Sequence, residues 1–196
     1  MNLPNKITIS RLVLSVIMLA LLMFPFYSFG IETPKYLIMG KVLVDIKYVI
    51  AGIIFLVASL TDSLDGYLAR KNNMVTDFGK VMDAIADKVL VNGLLIILAC
   101  NGFIHVIVPV VVILRDIAVD SIKMVAGSKN GAVGASMTGK IKTICMMSGL
   151  TLILFYNLPF ELINLNVADF LIIVGTVLSV VSGIEYYVKN RKYILE

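Results

Sequence analysis

Six apolar runs, each near twenty residues, dominate this 196-residue chain. They cover approximately residues 7–29, 48–70, 76–100, 103–125, 137–156 and 167–187. A helix of that length crosses the ~30 Å hydrocarbon core of a bilayer. In lipid every backbone N–H and C=O must find a partner within the chain, and a helix supplies one. The composition points the same way, because 59% of the residues are hydrophobic, against about half in a soluble domain. The pattern predicts an all-α membrane protein: one domain over residues 1–196 with six transmembrane helices. The opening, MNLPNKITISR, does not read as a cleavable signal. The apolar run behind it is long and no small-residue cleavage site follows cleanly.

Loop charge sets the expected orientation. Lys6 and Arg11, then Arg70 and Lys71, then Lys123, Lys129, Lys140 and Lys142, then Lys189, Arg191 and Lys192 fall on one side if both termini are cytoplasmic. The other side is nearly free of cations, except residues 30–47, which carry Lys35, Lys41 and Lys47 and are expected to form an interfacial loop or short helix. The net charge of +4 then reflects cytoplasmic loops and anionic lipid. Nucleic-acid binding is excluded, since no soluble basic and aromatic surface is present to carry it. Cys100 and Cys145 read as separate buried thiols, the lone His105 as incidental, and the ten methionines as lipid-facing or core residues. Residues 127–139, rich in Gly and Ser, read as the most flexible connection.

Within this apolar chain, residues 62–87 hold four carboxylates at fixed spacing: Asp62, Asp65, Asp83 and Asp87. Separations of three and four place each pair on one helix face. A polar break near residues 71–73 makes the stretch a helical hairpin that can gather all four acids near the cytoplasmic surface. Ionised carboxylates at the edge of lipid are costly and are usually paired or functional. Topology-setting ion pairs with Arg70, Lys71, Lys80 and Lys88 are the plain alternative, but they give no reason for the spacing. Oxygen-only donors favour magnesium or manganese over zinc. Four shared carboxylates can hold two ions, the arrangement used in phosphoryl displacement. Gly66, Ala69 and Gly79 leave room beside the acids for a ligand or a helix.

Written as spacing, the stretch is D-x2-D-G-x2-A-R-x8-G-x3-D-x3-D. It resembles, without departure, the motif of the CDP-alcohol phosphotransferase family. The resemblance implies a six-helix membrane fold, usually homodimeric. It implies that Asp62 and Asp83 bridge two divalent cations and that Asp65 and Asp87 complete one site each. Asp87 would also be the general base, and Gly66, Arg70 and Thr76 would contact the CDP portion of the donor. Outside the motif, NLPNKITISR, Arg115-Asp116, GKIKT (139–143) and SGIEYYVKNR resemble the phosphatidylglycerophosphate synthase branch of the family. In that branch the usual Gln stands where this chain has Met146.

The expected reaction transfers the phosphatidyl group from CDP-diacylglycerol to sn-glycerol 3-phosphate, giving phosphatidylglycerol phosphate and CMP in phospholipid biosynthesis. Such an enzyme sits in the cell membrane with its site facing the cytoplasm. Arg11, Arg115, Lys140 and Lys142 are the candidates for the acceptor phosphate, Arg through paired hydrogen bonds and Lys as a point charge. Arg115 interrupts an apolar run, and pairing with Asp116 or Asp120 is its plain alternative. Positive-inside signalling is the plain alternative for Arg11, Lys140 and Lys142. Asn5 and Thr8 are expected to cap the first helix and only secondarily to touch ligand. Acceptors of cardiolipin, inositol-phosphate or serine type are the alternatives within the family. A carboxylate-based ion transporter is the alternative from another class, but here the acids cluster at one surface.

Overall fold

The computed structural model describes the backbone of residues 3–71, 76–130, 134 and 136–195, with side chains outside 3–4, 62–71, 77, 80, 129–130 and 193–195. Six long helices follow one another: α1 (Leu3–Met23), α2 (Ile46–Lys71), α3 (Asp77–Cys100), α4 (Ile107–Asn130), α5 (Met137–Leu154) and α6 (Val167–Leu195). The boundaries move from the expected ones for local reasons. α1 starts early, with Pro4 in its first turn, where a missing N–H costs nothing. It stops at Met23 instead of near residue 29 because Pro25 disfavours helical backbone at Phe24. A 3-10 turn, Phe26–Phe29, and Gly30 at φ 70 then redirect the chain. α3 stops at Cys100 through a paired C-terminal cap. Gly102 N–H donates to the Ala99 carbonyl at 3.1 Å, and Phe103 N–H donates to Leu98 at 2.9 Å. Gly102 sits at φ 77, the left-handed conformation this cap requires. That turn delays α4 to Ile107.

Residues 30–47 form neither a short helix nor a simple loop. They contain an antiparallel hairpin, β1 (Lys35–Ile38) and β2 (Val42–Asp45), in which Lys35 faces Asp45 and Ile38 faces Val42. Tyr36, Leu37, Ile38, Val42 and Val44 suit strands. Met39 and Gly40, at φ 48 and 69, make the left-handed turn that matches strand twist. Asp45 then caps α2, its Oδ1 accepting the Lys47 N–H at 3.0 Å. The Tyr156 hydroxyl accepts the Asp45 N–H at 3.0 Å, fastening the hairpin to the end of α5. Beside it, Tyr48, Phe103 and Tyr156 pack ring against ring and close this end of the bundle.

α1 packs on α2 and α3, while α6 packs on α4 and α5. Contacts of α2 with α5, and of α3 with α4, join the two halves. The shared core holds Met18, Phe55, Leu90, Leu94, Val112, Leu150 and Leu154. Small residues set the closest helix approaches: a Cβ on Gly93 would lie 2.6 Å from Leu19 Cδ1. Outward faces remain apolar, as at Val13, Ile17, Ile53, Leu114, Ile144, Ile173 and Val177. Such a surface suits lipid and not water. Among the described residues, three helical stretches are long and apolar enough to cross a bilayer: Asn5–Met23, Met137–Leu154 and Val167–Lys192. Among the described residues α2 adds a shorter apolar stretch, Ile46–Thr61.

Candidate active site

The backbone carries Asp62 and Asp65 on the last turns of α2 and Asp83 and Asp87 on the first turns of α3. Each pair lies on one helix face by spacing. The side chains of Asp62, Asp65, Gly66 and Arg70 lie outside the described residues. Both arms lean on α1, and α1 supplies the first charge partner. Arg11 is buried, and its Nη2 contacts Asp83 Oδ1. Asp83 itself is about half exposed, at 51%. Arg11 therefore serves the carboxylate side. Among the described residues, Asp83 and Asp87 do not belong to a metal-holding group of three or more ligands. The donor chemistry nevertheless fits a hard divalent cation, since the acids offer oxygen only and Asp83 already takes a cationic partner.

The start of α3 is fixed by a small polar cluster. Thr76 caps it, accepting the Gly79 N–H at 3.0 Å and donating to Asn5 Oδ1 at 3.2 Å. A Cβ on Gly79 would stand 2.8 Å from that same Asn5 oxygen. Gly79 is needed for this approach of α3 to α1. Asn5 and Thr8 do not cap α1, because that helix already begins at Leu3. Both are buried within it, and Asn5 acts across the interface on α3.

On the other side of α3 opens a cleft of ≈ 290 Å³ between α3, α4, α5 and α6. Asp87 and Lys88 line it from α3, Arg115, Asp116, Asp120 and Lys123 from α4, Lys140 and Lys142 from α5, and Tyr186 from α6. Five cations thus face three carboxylates, so the cleft favours an anion. Arg115, Lys140 and Lys142 come together here with Asp87. Arg11 does not line this cleft.

Arg115 is held on every side. Its Nη1 donates to Asp116 Oδ1 at 2.9 Å, its Nε to the Ser179 carbonyl at 3.1 Å and its Nη2 to Ser182 Oγ at 2.6 Å. Asp116 Oδ1 also accepts from Lys142 Nζ at 3.0 Å, so one carboxylate steadies both cations. A bridging carboxylate keeps two cations together that would otherwise repel. Lys88 contacts Asp120, closing a second pair at the rim. Lys140 is exposed and pairs with no described acid. Met146 is buried in the core, with its methyl against Gly175 of α6. The position takes a packing role here.

Sequence reasoning took Lys123 only as a loop charge and Ser182 and Tyr186 only as part of the SGIEYYVKNR resemblance, and it passed over Ser179. A signal was present. Ser179, Ser182, Gly183 and Tyr186 recur at helical spacing as one polar and small stripe on an apolar helix.

The profile described as CDP-alcohol phosphatidyltransferase matches residues 1–181. A Bacillus subtilis (strain 168) protein, CDP-diacylglycerol–glycerol-3-phosphate 3-phosphatidyltransferase, is 39% identical over 189 residues, covering 96% of this chain and 95% of its own. A Rickettsia bellii protein of the same name is 30% identical over 194 residues, covering 98% and 97%. A Mycoplasma genitalium protein, again so named, is 47% identical over 105 residues, covering 54% and 44%.

Proposed function

This chain belongs to the CDP-alcohol phosphatidyltransferase family, and we propose that it transfers the phosphatidyl group of CDP-diacylglycerol to sn-glycerol 3-phosphate. The products are phosphatidylglycerol phosphate and CMP. The relatives that share nearly its whole length carry the name of that transferase. One geometric observation carries the reading beyond family: Asp87, the candidate base, shares a single cleft with Arg115, Lys140 and Lys142. A phosphorylated alcohol needs a proton acceptor and a cationic cradle side by side.

In this reading Asp62, Asp65, Asp83 and Asp87 hold two divalent cations, magnesium or manganese. When bound, these neutralise charge on the pyrophosphate under attack. Gly66, Arg70 and Thr76 receive the CDP portion. Thr76 contributes by holding the start of α3, because its hydroxyl is already engaged by Asn5 and Gly79. Arg11 steadies Asp83, and the acceptor phosphate falls to Arg115, Lys140 and Lys142. Asp87 takes the proton of the acceptor's 1-hydroxyl. That oxygen bonds to the β-phosphorus, the bond to the α-phosphate oxygen breaks, and CMP leaves with that oxygen. No protein nucleophile takes part.

The same reading makes the chain one domain of six spanning helices in the cell membrane, both termini cytoplasmic and the cleft facing the cytoplasm. A homodimer is the assembly it implies. Loop charge supports the orientation. The deciding experiment follows CMP release by purified protein in detergent with CDP-diacylglycerol and a panel of acceptors. Glycerol 3-phosphate should be used and inositol phosphate, serine and phosphatidylglycerol should not. Preference for any of the latter overturns the acceptor assignment.

A further inference from the structure

Tyr186 lies near the end of α6, past residue 181 where the family match stops, and is buried. Its ring and its hydroxyl face different partners. The ring lies beside two cations of α4: Arg115 Cζ is 5.9 Å and Lys123 Nζ 5.1 Å from its centroid. A ring face attracts cations at such distances. The hydroxyl reaches the opposite wall, accepting the Ser136 N–H at 2.9 Å and donating to the Gly134 carbonyl at 3.1 Å. Ser136 caps α5, its side chain accepting the Gly139 N–H at 3.1 Å. Lys140 and Lys142 follow on the next turns of that helix. One side chain therefore touches both walls of the cleft.

The rest of the α6 stripe supports the same contact. Ser182 and the Ser179 carbonyl hold the guanidinium, and a Cβ on Gly183 would lie 3.1 Å from Arg115 Cγ. Of the five cations around this volume, Arg115, Lys142 and Lys88 have carboxylate partners, while Lys123 and Lys140 pair with no described acid and like charges so close repel. Cations held in place beforehand lose less freedom when an anion arrives.

We propose that Tyr186 is the positioning residue of this cleft, bracing Arg115 and Lys123 against the cap of α5 so that a phosphorylated acceptor meets a preset arrangement of cations. The proposal rests on the reading of the cleft as the acceptor site. Tyr186 acts through Arg115 and the first turn of α5, not on the reacting atoms.

The test measures binding of inorganic phosphate to the full-length protein in detergent by calorimetry, alongside CMP release by the same preparations. Tyr186→Phe keeps the ring and loses the hydroxyl. Phosphate affinity and acceptor affinity, read as KM, should weaken roughly threefold to tenfold, the worth of a net hydrogen bond. The kcat and the donor KM should hold. Tyr186→Ala should weaken both further, and Tyr187→Phe, on an exposed neighbour, should change nothing. A merely structural role would instead lower the unfolding temperature and move donor KM and kcat together. Wild-type phosphate affinity in Tyr186→Phe overturns the proposal, as does failure of the wild type to bind phosphate. A wild type that binds phosphate but releases no CMP with glycerol 3-phosphate defeats the functional reading alone, and the phosphate comparison still decides the role of Tyr186.

Discussion

The two halves of the bundle hold their candidate site residues in different ways. In the half made of α1 to α3, the candidate acids sit on two helices adjacent in sequence, within residues 62–87. In the half made of α4 to α6, the cations Arg115, Lys123, Lys140 and Lys142 meet Ser179, Ser182 and Tyr186 only through packing of three helices. Yet each group has a partner of the other sign beside it. Arg11 sits against Asp83 among the acids, and Asp116 bridges Arg115 and Lys142 among the cations. A charge cluster within an apolar bundle is tolerable when each group has a partner, and the partner also fixes its direction.

If the halves divide the labour, substitutions on each should fail in different ways. The largest effect belongs to the acids. Asp87→Ala should lower CMP release by at least about a thousandfold, since it removes a base worth roughly 10²–10⁴ together with a metal-ligand candidate. Asp83→Ala should fall similarly, and both losses should persist at saturating magnesium. Appreciable activity in either variant would break the comparison at its strongest point. Next comes Arg115→Ala, with acceptor KM raised roughly tenfold to a hundredfold, the worth of a charged hydrogen bond. Its dependence on magnesium should stay as in the wild type; a shifted metal requirement would show that the halves are not separate.

Asp116→Asn should act on the same parameter more mildly, by several-fold, because Arg115 keeps its contacts to Ser179 and Ser182. Thr76→Val should cost about 1 kcal/mol of stability by removing a helix cap, read as a lower midpoint of unfolding with the acceptor KM unchanged. The smallest effect is expected at Lys88→Ala. Its pair with Asp120 is 43% and 37% exposed, and such a rim pair contributes ~0–1 kcal/mol.

The acid half could be proposed from sequence because its information is local, and the side chains of Asp83 and Asp87 are the ones the structure describes. Spacing on a helix is a fixed geometry, so Asp62, Asp65, Asp83 and Asp87 could be grouped before any packing was known. Helix existence was legible for the same reason, from apolar runs of the right length. The other half was only partly legible. Arg115, Lys140 and Lys142 stood out as charges, but the sequence does not say which helix faces them. Arg11 shows the limit plainly. It was grouped with those cations because all lie toward one surface, yet the packing of α1 on α3 turns it to Asp83. The hairpin at residues 35–45 was missed because its lysines obscured the run of strand-forming residues between them.

The last helix has a further meaning as a length. α6 holds 29 residues, about 44 Å at ~1.5 Å per residue, against a hydrocarbon thickness of ~30 Å. Tyr186 stands about 28 Å along it from Val167 by the same rise, close to that thickness. If α6 spans the bilayer as proposed, it is a ruler laid across it, with Tyr186 at its far mark. Membrane thickness, which helices meet by tilting, would then be a mechanical input to the cleft. Reconstitution into lipids of graded chain length should read it as a modest drift in acceptor KM, and a flat response would show that the mark carries no information.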